Sequence, residues 1–239
     1  MPPQYGAPPG GPIATWSPTD AWGFAWNVVI KRFGSVAVPI AIGMLITGLP
    51  AGIVYGGVFF VLQTMGSEID PDFLGLVTSA GMGLVALLFW LVGAYMAGGF
   101  ITLALKAARG QPTSFGDIFS GGRYLGRFLV MGIVGGLVVG LGIALCVVPG
   151  YIVAYGLSLA GFLVVDQDLS GVDALKRSWE LTKGHKVNIF IFHLIGIAVA
   201  LAGELACLIG LYLVSIPMAF IGATYIYLRI KGENPPTPT

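Results

Sequence analysis

Long, nearly uncharged apolar stretches separated by short polar segments make up most of the sequence. Those at 36–65 and 74–105 each exceed the about 20 residues that cross a ~30 Å hydrocarbon core as a helix. Those at 129–165 and 187–230 are too long for one crossing, so each is predicted to form a hairpin of two helices. The pattern predicts an all-α fold, an integral membrane helical bundle of six transmembrane helices at 36–65, 74–105, 129–147, 150–165, 187–208 and 211–230.

Proline and glycine mark where the two longer stretches turn. Val148-Pro149-Gly150 interrupts the first stretch, because proline removes a helical hydrogen bond and glycine permits a turn. Gly210 lies near the point at which the second stretch must turn. We therefore expect a tight hairpin at each place.

The basic residues indicate the orientation. All 12 Lys and Arg residues lie in segments that this arrangement puts on one side of the membrane, which the positive-inside rule assigns to the cytoplasm. We predict a multi-pass protein of the cell (inner or plasma) membrane with both termini in the cytoplasm. The predicted regions are a disordered Pro/Gly-rich tail at 1–16, the six-span membrane domain at 17–231 and a short tail at 232–239.

A short motif, Ser-x-x-Asp followed by an amphipathic stretch, precedes each predicted hairpin. It resembles the capping box at a helix start, with aspartate in place of the longer Glu or Gln. We predict three units, each an amphipathic interfacial helix on the cytoplasmic leaflet followed by a hairpin, with rings such as Trp22 and Trp26 at headgroup depth. Ordinary interfacial loops are the alternative. The predicted caps are Ser17 with Asp20, Ser114 with Asp117, and Ser170 with Asp173.

The last two units also match each other at one constant spacing. The matching pairs are Gly142 with Gly203, Cys146 with Cys207, Tyr151 with Tyr212, and Val153 with Val214. This agreement suggests an internal repeat.

The composition fits a chain in lipid. It is 56% hydrophobic and 10% charged, whereas an ordinary soluble domain carries about a quarter charged residues. Small residues let helices pack closely in lipid, and two glycine ridges are predicted to be helix contacts. The ridges are Gly48, Gly52 and Gly56, and Gly132, Gly136 and Gly140. A net charge of +1 argues against nucleic acid as a partner.

Glu204 is the one acid inside a predicted transmembrane helix, where an ionised carboxylate is costly. His193 lies about three turns earlier on nearly the same face, too far for direct contact. One interpretation is a proton or cation site in a transporter-like core. The other is that Glu204 reaches water or a hydroxyl group at the outer end of its helix, while His193 lies just inside the cytoplasmic boundary.

Two further groups of residues have alternative interpretations. Cys146 and Cys207 would lie at equivalent outer ends, where they would either form a disulfide or remain free as small apolar residues. Asp166, Asp168 and Asp173, with nearby lysine and arginine, are expected to form a solvated cytoplasmic corner and a helix cap.

Motifs for catalysis and for metal or cofactor binding are missing from the sequence. With two histidines it has no HExxH and no paired His/Asp metal constellation, and GxSxG and P-loop patterns are also absent. We therefore expect a protein that is not an enzyme, with no cofactor and no metal.

The segment VVPGYIVAYGLSLAGFLVVDQDLSGVDALKRSWELTKGHKVNIF resembles a broad group of uncharacterised prokaryotic multi-pass membrane proteins. That group includes the membrane domain fused to some glycerophosphodiester phosphodiesterases. The matching features are Pro149-Gly150, Asp166 at the end of a span, Ala174-Leu175-Lys176 with Ser178, Lys183-Gly184, and the earlier Pro112-x-Ser114-Phe115-Gly116-Asp117-x-Phe119. The resemblance implies a helical membrane fold. It implies no activity, because no phosphodiesterase domain is present.

Together these patterns predict a non-enzymatic membrane protein that acts in membrane-embedded interaction, lipid organisation or membrane homeostasis. Its expected partners are membrane lipids, a second copy or another membrane protein. The alternative is a small transporter or channel subunit using Glu204 and His193, and the third hypothesis is an intramembrane enzyme.

Overall fold

The computed structural model describes residues 16–65, 70–205 and 210–236, and within these ranges every regular element is a helix. The α-helices are α1 (Pro18–Lys31), α2 (Val38–Met65), α3 (Pro71–Ala108), α4 (Leu125–Leu145), α5 (Val147–Leu157), α6 (Ala160–Asp166), α7 (Gly171–Leu181), α8 (Lys186–Leu205) and α9 (Ile216–Lys231). π-helical turns at Phe33–Ala37 and Leu211–Ser215 lead into α2 and α9, and a 3₁₀ helix at Phe115–Tyr124 leads into α4. Most of the predicted tail at 1–16 lies outside the described residues.

Six helical segments of the described chain are long and apolar enough to cross a membrane. The all-α prediction and the six apolar helices are therefore confirmed. The segments are Phe33–Thr64, Asp72–Ala108, Phe115–Leu145, Val147–Asp166, Lys186–Leu205 and Leu211–Lys231.

The turn between α4 and α5 lies slightly earlier than predicted. Cys146 has extended backbone angles and separates the two helices, whereas Pro149 and Gly150 lie in the first turn of α5. Proline is tolerated there, because the first amide groups of a helix have no partner within the helix. Gly142 and Gly150 bring the two helices together, since a Cβ atom on Gly142 would lie 3.0 Å from the Gly150 Cα atom. The predicted turn before Gly210 lies outside the described residues.

The fourth apolar segment is divided into α5 and α6 near Ser158. Two hydroxyl groups hold this break: Ser178 on α7 and Thr182 at its C-cap donate to the Gly156 carbonyl oxygen over 2.9 and 3.1 Å. Ser178 Oγ also accepts from the Leu159 amide, at 3.2 Å. The interrupted backbone groups are therefore satisfied by the neighbouring helix, as buried polar groups must be.

Buried side chains are concentrated at the end of the molecule that carries the basic residues. Two clusters draw mainly on α1, α6, α7, α9 and the last part of α3 from Ala94 to Ala108. Towards the other end, α2 and α3 continue as a pair whose apolar side chains face outwards, as at Ile53, which is 73% exposed. The long helices are therefore packed together at one end and largely uncovered at the other.

The amphipathic helix α1 belongs to this packed end. Ala21 and Ala25 are fully buried. Trp22, 7% exposed, stacks on Phe192 with ring centroids 4.9 Å apart, and its Nε1 donates to the Phe192 carbonyl oxygen at 3.1 Å. Trp26 is 51% exposed. Trp22 therefore packs on protein, contrary to its predicted place among lipid headgroups, and a leaflet could reach only the opposite face of α1.

Glycine lets the 3₁₀ helix lie directly on α3. A Cβ atom on Gly99 would lie 1.8 Å from the Ile118 carbonyl oxygen, and one on Gly121 would lie 1.7 Å from the Tyr95 carbonyl oxygen. Neither glycine belongs to the predicted ridges. The closest helix contacts in the described chain therefore involve residues that the sequence pattern did not single out.

The predicted ridges make only partial contacts. A Cβ atom on Gly132 would lie 3.2 Å from the Trp90 ring, and one on Gly48 would lie 3.9 Å from the Tyr212 hydroxyl oxygen. No described atom lies within 4 Å of such a Cβ atom at Gly52, Gly56, Gly136 and Gly140. The ridges are therefore not continuous helix contacts within one chain, because a row of small residues permits close approach but does not create it.

We expect Gly99→Ala to destabilise the protein by about 3 kcal/mol, because the added methyl group meets a backbone oxygen that cannot move freely. Gly136→Ala, in an equally helical but open position, should leave stability unchanged or raise it by up to ~1 kcal/mol through helix propensity. Denaturant unfolding of the detergent-solubilised variants measures both. Equal stability of the two variants would contradict the close contact between α3 and the 3₁₀ helix.

Candidate functional site

Glu204 and His193 both lie on α8, and the structure does not join them into one site. At ~1.5 Å per residue they are about 16 Å apart along the helix. His193 Nδ1 is 2.8 Å from the Ile189 carbonyl oxygen, and the ring packs on Tyr155 with centroids 5.3 Å apart. Glu204 is exposed near the end of α8, with no polar partner among the described residues. Both interpretations of this pair remain predictions.

Cys146 is exposed in the turn between α4 and α5 and has no disulfide partner among the described residues. Cys207 lies outside the described residues, so the disulfide remains a prediction. No three side chains of His, Cys, Asp or Glu lie close enough to hold a metal ion in the part of the chain that the structure describes.

Hydrogen bonds at the N-termini of α1, the 3₁₀ helix and α7 involve the Ser-x-x-Asp motifs. In each case they satisfy amide groups that the first helical turn leaves without a partner. They are Asp20 N–H to Ser17 Oγ (3.1 Å), Ser17 N–H to Asp20 Oδ2 (3.0 Å), Ser114 N–H to Asp117 Oδ2 (2.8 Å) and Asp173 N–H to Ser170 Oγ (3.2 Å).

A cluster of charged groups surrounds Asp166, the last residue of α6, whose side chain is 8% exposed. Asp166 Oδ1 lies 2.8 Å from the Arg109 guanidinium. Its Oδ2 accepts from Lys231 Nζ and from the Tyr227 hydroxyl, each at 2.7 Å. Glu233 completes the cluster by accepting from Arg109 at 3.1 Å and from Lys231 at 2.7 Å. We call these five residues the Asp166 network.

The Asp166 network balances its own charge, with two carboxylates facing two cations. Burial lowers the pKa of Arg109, but its bonds to Asp166 and Glu233 outweigh burial and keep that pKa above its ordinary value. Burial raises the pKa of Glu233, but its bonds to Arg109 and Lys231 outweigh it and hold that pKa below the ordinary 4.5. Arg109 and Glu233 thus stay charged near neutral pH, which suits a clamp between helix ends rather than proton transfer.

The network joins the ends of α3, α6 and α9 to the segment after α9. The expectation that Asp166 lies in a solvated corner is therefore wrong. Tyr227 and Lys231 lie 61 and 65 residues further along the chain, so no local pattern could reveal these bonds. One signal was present in the sequence, because Arg109, Asp166 and Lys231 each lie at or just beyond the end of a long apolar stretch.

Comparison with known proteins gives a family but no activity. A family model described as "Domain of unknown function (DUF7847)" matches residues 120–226. "Uncharacterized protein Rv2560" of Mycobacterium tuberculosis is 30% identical over 94% of this chain and 73% of its own length. The chain belongs to the family of this mycobacterial protein. "Uncharacterized protein Mb2590" of Mycobacterium bovis is 29% identical over the same shares. No solved structure matches.

The segment that this family model matches covers α4 to α8 and most of α9, and so includes Asp166 but not Arg109, Lys231 or Glu233. The Asp166 network therefore ties the matched segment to the preceding helix and to the segment after α9. Neither the family description nor the names of these relatives mention a glycerophosphodiester phosphodiesterase. Similarity to uncharacterised prokaryotic proteins is thus confirmed, and the link to that fused membrane domain remains a prediction.

We expect Asp166→Asn to lower the free energy of unfolding by about 3 kcal/mol, because it removes the charge shared by Arg109 and Lys231 in a buried site. The matched control is Asp168→Asn, which removes an exposed carboxylate bonded to Arg127 at 3.1 Å. That control should change stability little, since exposed pairs contribute little. Unfolding in detergent compares them, and equal losses would show that the network is not the clamp inferred here.

Glu233 makes a second prediction, about pH. A carboxyl group whose pKa is lowered on folding contributes stability above its ordinary pKa of 4.5 and loses it as the pH falls through the lowered value. The protein should therefore lose stability below pH 4.5. The difference in the free energy of unfolding between Glu233→Gln and the unmodified protein should therefore shrink below that pH, by about 1 kcal/mol at most for a partly exposed group. A constant difference between pH 7 and pH 3 would contradict this role of Glu233.

Proposed function

We propose that this protein is a six-span integral protein of the cell membrane, with both termini in the cytoplasm, that acts without catalysis. Its role would be membrane-embedded interaction, lipid organisation or membrane homeostasis. The observation that carries the proposal is the amount of outward-facing apolar surface on the long helices. On α4, Leu137 and Leu141 are exposed and Leu145 is 87% exposed. Soluble monomers rarely expose continuous apolar surface of this extent, whereas lipid tails cover it.

The dimensions of the helices support insertion. α4 has 21 residues, which at ~1.5 Å each gives about 32 Å, close to a hydrocarbon core of ~30 Å. The Asp166 network and the Lys106–Asp117 ion pair (2.6 Å) lie at its basic end, while Cys146 lies at the other. This separation of charged contacts from apolar helix surface suits one end in cytoplasmic water and headgroups.

The buried hydroxyl groups support a role by contact rather than by chemistry. Ser178 and Thr182 hydrogen-bond to the Gly156 carbonyl oxygen, and Ser215 donates to the Val199 carbonyl oxygen at 2.9 Å. These groups are used to hold helices together. A transporter or channel subunit using Glu204 and His193 is the alternative, and an intramembrane enzyme is a third hypothesis.

Cysteine labelling in intact cells tests the topology. The Cys207→Ala variant keeps Cys146 as its single cysteine, and we expect an impermeant maleimide to label it from outside. In a Cys146→Ala, Cys207→Ala background, Ser170→Cys should be labelled only after the cells are permeabilised. Labelling of Ser170→Cys in intact cells would contradict the proposed orientation.

Reconstitution separates the proposed role from transport. Vesicles containing the purified protein should be no more permeable to protons or cations than empty vesicles. Glu204→Gln should change nothing, because no polar path is required. A proton-coupled flux that Glu204→Gln abolishes would replace the proposal with the transporter alternative.

A further inference from the structure

An open apolar groove of about 530 Å³ runs between α5 and α8. At one end Tyr155 and Phe190 form an edge-to-face wall, with ring centroids 5.6 Å apart. Val148, Ile152 and Ile197 line the other end. Most of these side chains are exposed, so the groove opens towards the surroundings of the long helices rather than into the core.

A lysine stands at the aromatic end of this groove. Lys186 Nζ lies 3.1 Å from the centroid of the Trp179 ring, and Lys186 makes no ion pair within the described part of the chain. Gly156 makes room for the ring, since a Cβ atom there would lie 2.3 Å from it. Lys183, in the turn before α8, is exposed. The end of the groove therefore carries positive charge beside an aromatic ring, as membrane interfaces do.

The length of the groove matches one leaflet. From Lys186 to Ile197 α8 rises about 16 Å, and half of a ~30 Å hydrocarbon core is about 15 Å. Lys186 lies at the basic end of the molecule, next to α7. The groove thus has an acyl-chain length of apolar surface and a cation at the depth of the phosphate groups.

We propose that this groove binds one anionic phospholipid of the leaflet at the basic end, with an acyl chain along α5 and α8 and the phosphate at Lys186. The inference rests on the proposed membrane function and names its ligand class. An anionic lipid fits better than a neutral one, because each lysine near the surface attracts negative headgroups and Lys186 has no carboxylate partner among the described residues.

A second groove supplies an internal comparison. Between α2 and α3 the structure has another space of about 530 Å³, lined by apolar residues, glycine and Thr78 and by no charged group. The groove between α2 and α3 has the same volume but no cation, so it has no charged group that could distinguish one lipid headgroup from another. Only the groove between α5 and α8 is therefore expected to prefer anionic lipid.

The test places the full chain in nanodiscs made of equal parts phosphatidylglycerol and phosphatidylcholine. The protein is then released from the nanodiscs, and native mass spectrometry identifies the lipids that stay bound to it. We expect phosphatidylglycerol to be retained preferentially. Lys186→Ala should reduce that preference about five-fold, the effect of one lysine near an anionic surface. Lys186→Arg should keep it, and so should Lys176→Ala, a control on the exposed face of α7.

A second pair of variants tests the apolar part. Ile152→Trp fills the groove and should reduce retention of the preferred lipid, whereas Val77→Trp fills the groove between α2 and α3 and should not. An unchanged preference for phosphatidylglycerol in both Lys186→Ala and Ile152→Trp would overturn the inference. So would the finding that the groove is covered by a second copy of the chain, in a dimer that retains no lipid. Carbonate extraction distinguishes failure of the proposed function from failure of the lipid-binding inference. Release of the protein from membranes would contradict the proposed function, whereas retention in membranes without a lipid preference would contradict only lipid binding in the groove.

Discussion

The ion pairs of Asp166 are the interaction on which the packed end of this protein depends. A buried carboxylate is costly unless cations and hydrogen-bond donors surround it, and Asp166 has Arg109, Lys231 and the Tyr227 hydroxyl within 2.8 Å. These partners come from the ends of α3 and α9, which are far from α6 and from each other in the sequence. Holding them together places the ends of α3, α6 and α9 side by side, and Glu233 joins the following segment to the same point. The small helices α1 and α7 can then pack against a fixed base.

That base explains why the two ends of the molecule differ. Where the helix ends are tied, short amphipathic helices fill the spaces between them, and residues such as Ala25 and Leu163 are fully buried. Away from the base the long helices have fewer protein neighbours, and their side chains are apolar on all sides. Such surfaces are stable only if something apolar covers them. A division into a polar, protein-packed end and an end of exposed apolar helices follows from the same set of contacts.

Much of this arrangement could be predicted from local patterns, and the remainder depended on distant contacts. Apolar length alone identifies the helices, and the Ser-x-x-Asp motifs lie where α1, the 3₁₀ helix and α7 begin. The bonds of Asp166 could not be predicted, because they join residues more than 50 positions apart. Burial of Trp22 was missed for a different reason: an apolar helix face has the same sequence whether lipid or Phe192 covers it. The glycine ridges make only partial contacts within one chain, because spacing shows which residues share a face but not whether another helix lies there.

The last two hairpins share the glycines that the sequence pairs at a constant spacing, but they differ in the charge at the start of their first helix. Gly142 approaches Gly150 and Gly203 approaches Leu211, so equivalent glycines bring together equivalent stretches of chain. At that spacing the position of Lys186, the first residue of α8, is held at the start of α4 by Leu125, which is uncharged. The charge that is proposed to select a headgroup therefore lies at a position where the two hairpins differ. A lipid preference would thus belong to the groove beside α8 and not to the repeated fold as such.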